Sequence, residues 1–252
     1  MKKILLQLAA AITFFTRLPL WKVLEIPSES FKKIICFWPF TGWITAGFTA
    51  LAWLAFSMVF PPILAVILAF CCKVLLTGGL HEDGLGDFFD GFGGGRTKED
   101  VLRIMKDSHV GSYALIGMIF YYLLLINTVV SIPKEITAIA IFAADPFSKM
   151  LTALMMNLQP YARTEQESKS KTIFEKLSPG RLITILIFGL LPIISLLEVK
   201  LWLTIILPIA TVSFVFFLAK KRIGGYTGDI CGATALLCEL SFYLSFYVVL
   251  HL

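Results

Sequence analysis

Seven stretches of mostly apolar residues, each near the length of a bilayer crossing, constrain this chain more than any other feature. They run over roughly 34–56, 61–79, 111–132, 136–157, 182–198, 201–219 and 231–251, and a spanning helix needs about 20 such residues. Pro and Gly punctuate most boundaries: Pro61-Pro62, Gly78-Gly79, Pro133, Pro160, Pro179-Gly180 and Gly224-Gly225. The sixth stretch is separated from the fifth only by charge, at Glu198 and Lys200. With 58% hydrophobic and 15% charged residues among 252, the chain cannot cover a water-facing surface. That excludes a soluble globular domain, a disordered chain and a disulfide-stapled secreted module. The sequence therefore predicts an all-α, polytopic integral membrane helix bundle of about seven transmembrane helices, with 1–252 as one membrane-embedded domain. Lys2, Lys3, Gln7 and Arg17 beside Leu5, Leu8, Ile12 and Phe15 predict an N-terminal interfacial amphipathic helix. The five Cys lie in or beside apolar stretches without the paired spacing of a zinc site.

The basic residues set the orientation. Eighteen of the 22 Lys and Arg fall on one side of the predicted spans: the N-terminal segment to Lys33, Arg96 to Lys106, Arg163 to Arg181 (with Lys169 and Lys171), and Lys220 to Arg222. The other side takes only Lys134 and Lys200. This excess places the first side in the cytoplasm, with the N-terminus inside and the C-terminus outside. The modest net charge of +5 is accounted for by these segments, with no nucleic-acid partner implied.

The acids are concentrated too. Seven of the 17 Asp and Glu fall between Glu82 and Asp107, in a predicted cytoplasmic active-site loop over about 80–110. In a helical 82–91, Asp83, Asp87 and Asp90 at i, i+4 and i+7 share one face. Three carboxylates repel there unless a cation lies between them, and Mg²⁺, which shares its positions with substrate phosphates, is the natural neutraliser. Glu82, Asp107 and Asp229 are further candidate ligands. Gly93-Gly94-Gly95 offers backbone N–H groups to an anion, Arg96, Arg103 and Lys106 offer charge-assisted donors, and Arg163 ends the fourth span with a guanidinium at the interface. Ser108 lies beside Asp107, and Thr227 opens the last span, where a helix N-terminus suits an anion. Asp145, Lys149 and Glu239 lie at membrane depth, where ionisable groups are functional candidates, although Asp145 and Lys149 at i, i+4 are also placed to neutralise each other. A transporter or channel for a divalent cation or phosphorylated solute is the alternative. Against it, the polar motifs all sit on one predicted face.

The stretches His81-Glu82-Asp83-Gly84-Leu85-Gly86-Asp87-Phe88-Phe89-Asp90-Gly91, Ile104-Met105-Lys106-Asp107-Ser108 with Gly111, Pro160-Tyr161-Ala162-Arg163, and Gly224-Gly225-Tyr226-Thr227-Gly228-Asp229 with Gly232, Ala233 and Glu239 resemble the cobalamin synthase family, adenosylcobinamide-GDP ribazoletransferase. Phe14-Phe15-Thr16-Arg17-Leu18-Pro19 is similar to the family's opening, so the resemblance covers essentially the whole chain. Two residues depart from the pattern: Gly86 stands where Ala is usual, and Lys149 where Arg is common, which reduces a bidentate phosphate contact to a single point. Asp87-Phe88-Phe89-Asp90-Gly91 is also similar to the start of the CDP-alcohol phosphotransferase signature, whose remainder is absent.

The resemblance implies that adenosylcobinamide-GDP reacts with α-ribazole or its 5′-phosphate, giving adenosylcobalamin or its 5′-phosphate and GMP. It implies a bacterial or archaeal cytoplasmic membrane, with other enzymes of corrinoid assembly as partners. Asp83, Asp87 and Asp90 would then hold Mg²⁺ on the diphosphate, completed by Glu82, Asp107 or Asp229. Asp90 is the first candidate for general base and His81 the second. Arg96, Lys106, Lys149, Arg163, Gly94, Gly95, Ser108, Thr227 and Glu239 would bind substrate.

Overall fold

The computed structural model describes residues 2–163, 176–196 and 198–252, so Lys169 and Lys171 lie outside the described residues. The order is α1 (Lys2–Phe15), α2 (Ser28–Phe31), α3 (Trp38–Phe56), α4 (Pro62–Thr77), α5 (Leu80–Gly94), α6 (Lys98–Ile104), α7 (Ser112–Val130), α8 (Lys134–Leu158), α9 (Pro179–Ile194), α10 (Ile206–Ile223) and α11 (Gly228–Leu250). Short 3₁₀ turns precede α3 and α10. Among the described residues the only extended pairing is a parallel bridge between Tyr161 and Tyr226.

Every predicted apolar stretch contains helix, and the protein is a polytopic all-α bundle. Among the described residues, five helical segments are long and apolar enough to cross a bilayer: Ile34–Phe56, Ser112–Val130, Lys134–Leu158, Lys200–Ile223 and Gly228–Leu250. α4 and α9 hold only 16 residues each, about 24 Å at 1.5 Å per residue, short of a hydrocarbon core of about 30 Å. α4 continues into α5, but through a bend of 94°, and counting that pair as one span gives six. The expected seven full crossings are therefore not all present at full length.

The bend has a local cause. Gly78 and Gly79 are both left-handed, at φ 70° and 72°, a backbone open to glycine and strained for other residues. The Arg17 side chain lies over Gly78, and the Arg17 backbone N–H donates to the Leu76 carbonyl at 2.7 Å. The chain is thus turned and pinned where the acidic helix begins. α1 is more than an interfacial float: Ala9, Ala10, Ala11 and Phe15 are buried in the bundle, while Ile4 and Leu5 remain exposed.

α8 and α11 form the centre, with long buried faces. α5 packs tightly on the start of α11: a Cβ at Gly84 would sit 2.7 Å from the Asp229 carbonyl oxygen. That atom is backbone and cannot swing aside, so Gly84→Ala is expected to destabilise by about 1–3 kcal/mol. Thermal unfolding in detergent reads this directly, and an unchanged midpoint would show that the two helices separate freely.

Candidate active site

At the end of the bundle where α1 finishes and α5 and α11 begin, a cavity of about 310 Å³ opens. Phe14 and Phe15 of α1, Trp38 of α3, His81 and Asp83 of α5, Met156 of α8, the segment carrying Tyr161 and Arg163, and Gly228, Asp229, Cys231 and Gly232 of α11 all reach it. These come from the acidic segment, the end of α8 and the start of α11, which the sequence reading places on one membrane face. The Tyr161–Tyr226 bridge ties the latter two together: Ala162 N–H donates to Tyr226 O at 2.8 Å, and Tyr226 N–H to Pro160 O at 3.0 Å. Arg163, 7% exposed, donates from Nη1 to Asp229 Oδ2 at 3.1 Å and from Nη2 to Leu102 O at 3.2 Å. His81 is 5% exposed, and its Nε2 has no protein partner. Glu82 Oε2 is likewise buried without a partner.

The acidic segment is helical, and this redistributes the expected roles. Asp83 is exposed and reaches the cavity, and Asp87, one turn on, is half-buried. Asp90 faces elsewhere. Its Oδ2 accepts from Gly111 N–H at 2.7 Å and its Oδ1 from Ala114 N–H at 2.8 Å, so it caps the start of α7 from a neighbouring helix. Both its oxygens are engaged, which weighs against its use as general base.

Asp107 is exposed beyond α6 and accepts from His109 Nδ1 at 2.6 Å. That hydrogen bond lowers the Asp107 pKa and raises the His109 pKa. Arg96, Lys106 and Ser108 are exposed on the same surface segment. Gly94 and Gly95 do not form an open anion cradle, because α5 continues through Gly94 and Gly95 N–H donates to Gly91 O at 2.9 Å. Thr227 is fully buried, and its hydroxyl accepts from Ile230 N–H at 3.3 Å, capping α11.

Lys149 and Glu239 are consumed inside the bundle. Lys149 Nζ lies 2.8 Å from Asp145 Oδ1 and donates to Thr45 Oγ1 at 2.8 Å. Lys73, missed as a partner in the sequence, donates to both Glu239 oxygens at 2.6 Å and lies 3.3 Å from Asp145 Oδ2. Tyr243 Oη donates to Glu239 Oε1 at 3.0 Å. Two cations and two carboxylates from α4, α8 and α11 thus form a neutral buried cluster, and neither Lys149 nor Glu239 is left open to a ligand.

The donor chemistry suits a divalent cation only in one mode. Among the described residues, no three or more His, Cys, Asp and Glu side chains are arranged to hold a metal ion by themselves. Asp83 and Asp87, hard oxygen donors on adjacent turns, do fit the Mg²⁺ habit of taking one or two carboxylates and filling its remaining positions with water and phosphate oxygens.

The sequence model of the family described as cobalamin-5-phosphate synthase matches residues 7–247. The chain belongs to this family. Membership makes it an enzyme, a transferase of cobalamin synthesis. An adenosylcobinamide-GDP ribazoletransferase from Shewanella sp. (strain W3-18-1) is 34% identical over 242 residues, 95% of this chain and 92% of that protein. Proteins of the same name from Shewanella baltica (strain OS185) and Shewanella oneidensis are 33% and 32% identical over the same shares. No solved structure matches. Trp38 of the cavity wall went unnoticed in the sequence because aromatics are abundant throughout, and Phe15 was read only as part of the N-terminal helix and of the Phe14-to-Pro19 opening.

Proposed function

We propose that the protein joins adenosylcobinamide-GDP to α-ribazole or its 5′-phosphate, releasing GMP, at the cytoplasmic face of the membrane. What supports this most is that His81, Asp83, Arg163 and Asp229 share one cavity at the end of the bundle, in a chain matched to the family over nearly its whole length. A ribose hydroxyl of the acceptor attacks the phosphorus bonded to the cobinamide. A new P–O bond forms, the P–O bond to the GMP phosphate breaks, and GMP departs with that electron pair. His81, with an unpartnered ring nitrogen, takes the hydroxyl proton, a role Asp90 is too engaged to perform. Asp83 and Asp87 would hold Mg²⁺, which when bound would supply positive charge for the phosphate oxygens. Arg163, oriented by Asp229 and the Leu102 carbonyl, grips the diphosphate. Arg96 and Lys106 add positive charge at the approach.

Purified protein in detergent, given both substrates and Mg²⁺, is expected to release GMP and to stop when EDTA is added. Release that persists in EDTA would sink the metal role, and no release at all would sink the reading. Arg163→Ala is expected to raise the KM for adenosylcobinamide-GDP by about 10- to 100-fold, the value of a charge-assisted hydrogen bond of about 1.5–3 kcal/mol. Arg163→Lys should recover little of this, because the fork of donors that meets Asp229 and Leu102 together is lost. An unaltered KM in Arg163→Ala would remove it from the diphosphate site.

A further inference from the structure

The cavity combines two chemistries. Its lining includes the charged Asp83, Arg163 and Asp229 and the apolar Phe14, Phe15, Ile35, Trp38, Leu80 and Met156. In that lining the rings of Phe15, Trp38 and His81 are nearly parallel. Phe15 and Trp38 lie 5.1 Å apart at 10°, and Trp38 and His81 lie 5.9 Å apart at 7°. Phe15 and His81 are 6.3 Å apart at 11°. Two of these rings also carry a buried nitrogen with no protein partner, Trp38 Nε1 and His81 Nε2. An indole N–H donates only, and a buried donor left unpaired is costly. A set of parallel flat rings with one spare donor, in a cavity that also carries charged side chains, suits a flat heterocycle with a ring acceptor and a polar tail.

We propose that this cavity holds the acceptor nucleoside, its benzimidazole lying parallel to Trp38 and His81 and its ribose directed toward Asp83, Arg163 and Asp229. This assignment rests on the ribazoletransferase reading and adds to it which substrate occupies the cavity. Size selects among the candidates. At about 310 Å³ the cavity is at the small end of ligand sites, enough for a nucleoside and too small for a corrin macrocycle with its nucleotide. Polarity selects again. Guanine presents several donors and acceptors along one edge, which an aromatic wall with two ring nitrogens leaves unpaired, whereas benzimidazole in a nucleoside has a single free ring nitrogen, an acceptor that matches the indole N–H. The placement also brings the acceptor's hydroxyls beside His81, the proposed proton acceptor.

The test is direct binding of α-ribazole, without phosphate, to the purified full-length protein by calorimetry, alongside the KM of each substrate. Gly228 lines the cavity, and a Cβ there meets no atom within 4 Å, so Gly228→Leu starts its side chain in open space and adds bulk to the lining. It is expected to weaken α-ribazole binding at least about tenfold. Trp38→Phe, which keeps a flat ring but removes the donor, is expected to weaken it about five- to tenfold, the value of one neutral hydrogen bond. An indole riboside, which lacks the ring acceptor, should bind the unaltered protein more weakly by the same factor and lose nothing further in Trp38→Phe. GMP should not compete with α-ribazole. Unchanged α-ribazole affinity in both variants, or displacement by GMP, overturns the assignment. GMP release that continues with either of those results leaves the transferase reading standing, whereas absence of release from the unaltered protein strikes that reading alone.

Discussion

Replacing Asp87 by Asn is expected to lower the rate of GMP release about a thousandfold, with the protein still inserted in the membrane and folded. The side chains are nearly the same size, and Asp87 sits half-buried on α5, one turn from the exposed Asp83. What changes is charge. A hard divalent cation is held by one or two carboxylates together with substrate phosphates, and an amide oxygen carries no net charge to replace the lost ligand. The loss should therefore be partly repaired by raising the Mg²⁺ concentration, because reduced occupancy responds to mass action. A purely structural role for Asp87 would leave the rate insensitive to Mg²⁺ and lower the unfolding temperature instead. Near-normal turnover in Asp87→Asn would remove the acidic helix from the chemistry.

Much of the fold could be read from hydropathy, because burial in lipid demands long apolar helices and the chain has little else. Two stretches misled on length. The left-handed pair Gly78-Gly79 stops α4 before the apolar stretch ends, and α9 begins at Pro179 but ends at Ile194, short of the expected end at 198. The spacing of Asp83, Asp87 and Asp90 fits the helix that forms there, but periodicity cannot say what packs against each of its residues. α7 packs beside Asp90, and its unsatisfied N-terminal amides claim that carboxylate. The same blindness affected the glycines: a run such as Gly93-Gly94-Gly95 has the same composition in an anion-binding loop as at a helix end. Arg163 and Asp229 could each be nominated from their own segments. They pair beside the Tyr161–Tyr226 bridge although they are 66 positions apart, a contact no local pattern encodes.

The buried charges supply the other large effect. Lys73→Met is expected to destabilise the protein by about 3–5 kcal/mol, the usual result of removing one member of a buried ion pair. Lys73 is 6% exposed and is the cation that meets both carboxylates, donating to both Glu239 oxygens and lying within salt-bridge distance of Asp145. Without it, Lys149 must balance two negative charges while its own contacts are to Asp145 and Thr45, and Glu239 keeps only the Tyr243 hydroxyl. The helices joined by this cluster include α11, whose first turn carries Asp229 into the cavity, so loss of the cluster should also loosen the site. A second change separates charge from packing. Lys73→Met with Glu239→Gln removes both members of the pair and should recover a large part of the stability, since the penalty comes from an uncompensated charge rather than from the absence of a bridge. Thermal unfolding of both variants beside the unaltered protein in detergent measures both terms. A single variant as stable as the unaltered protein would mean that water already reaches Glu239, and a double variant no better than the single would mean that Lys73 contributes through its packed methylenes.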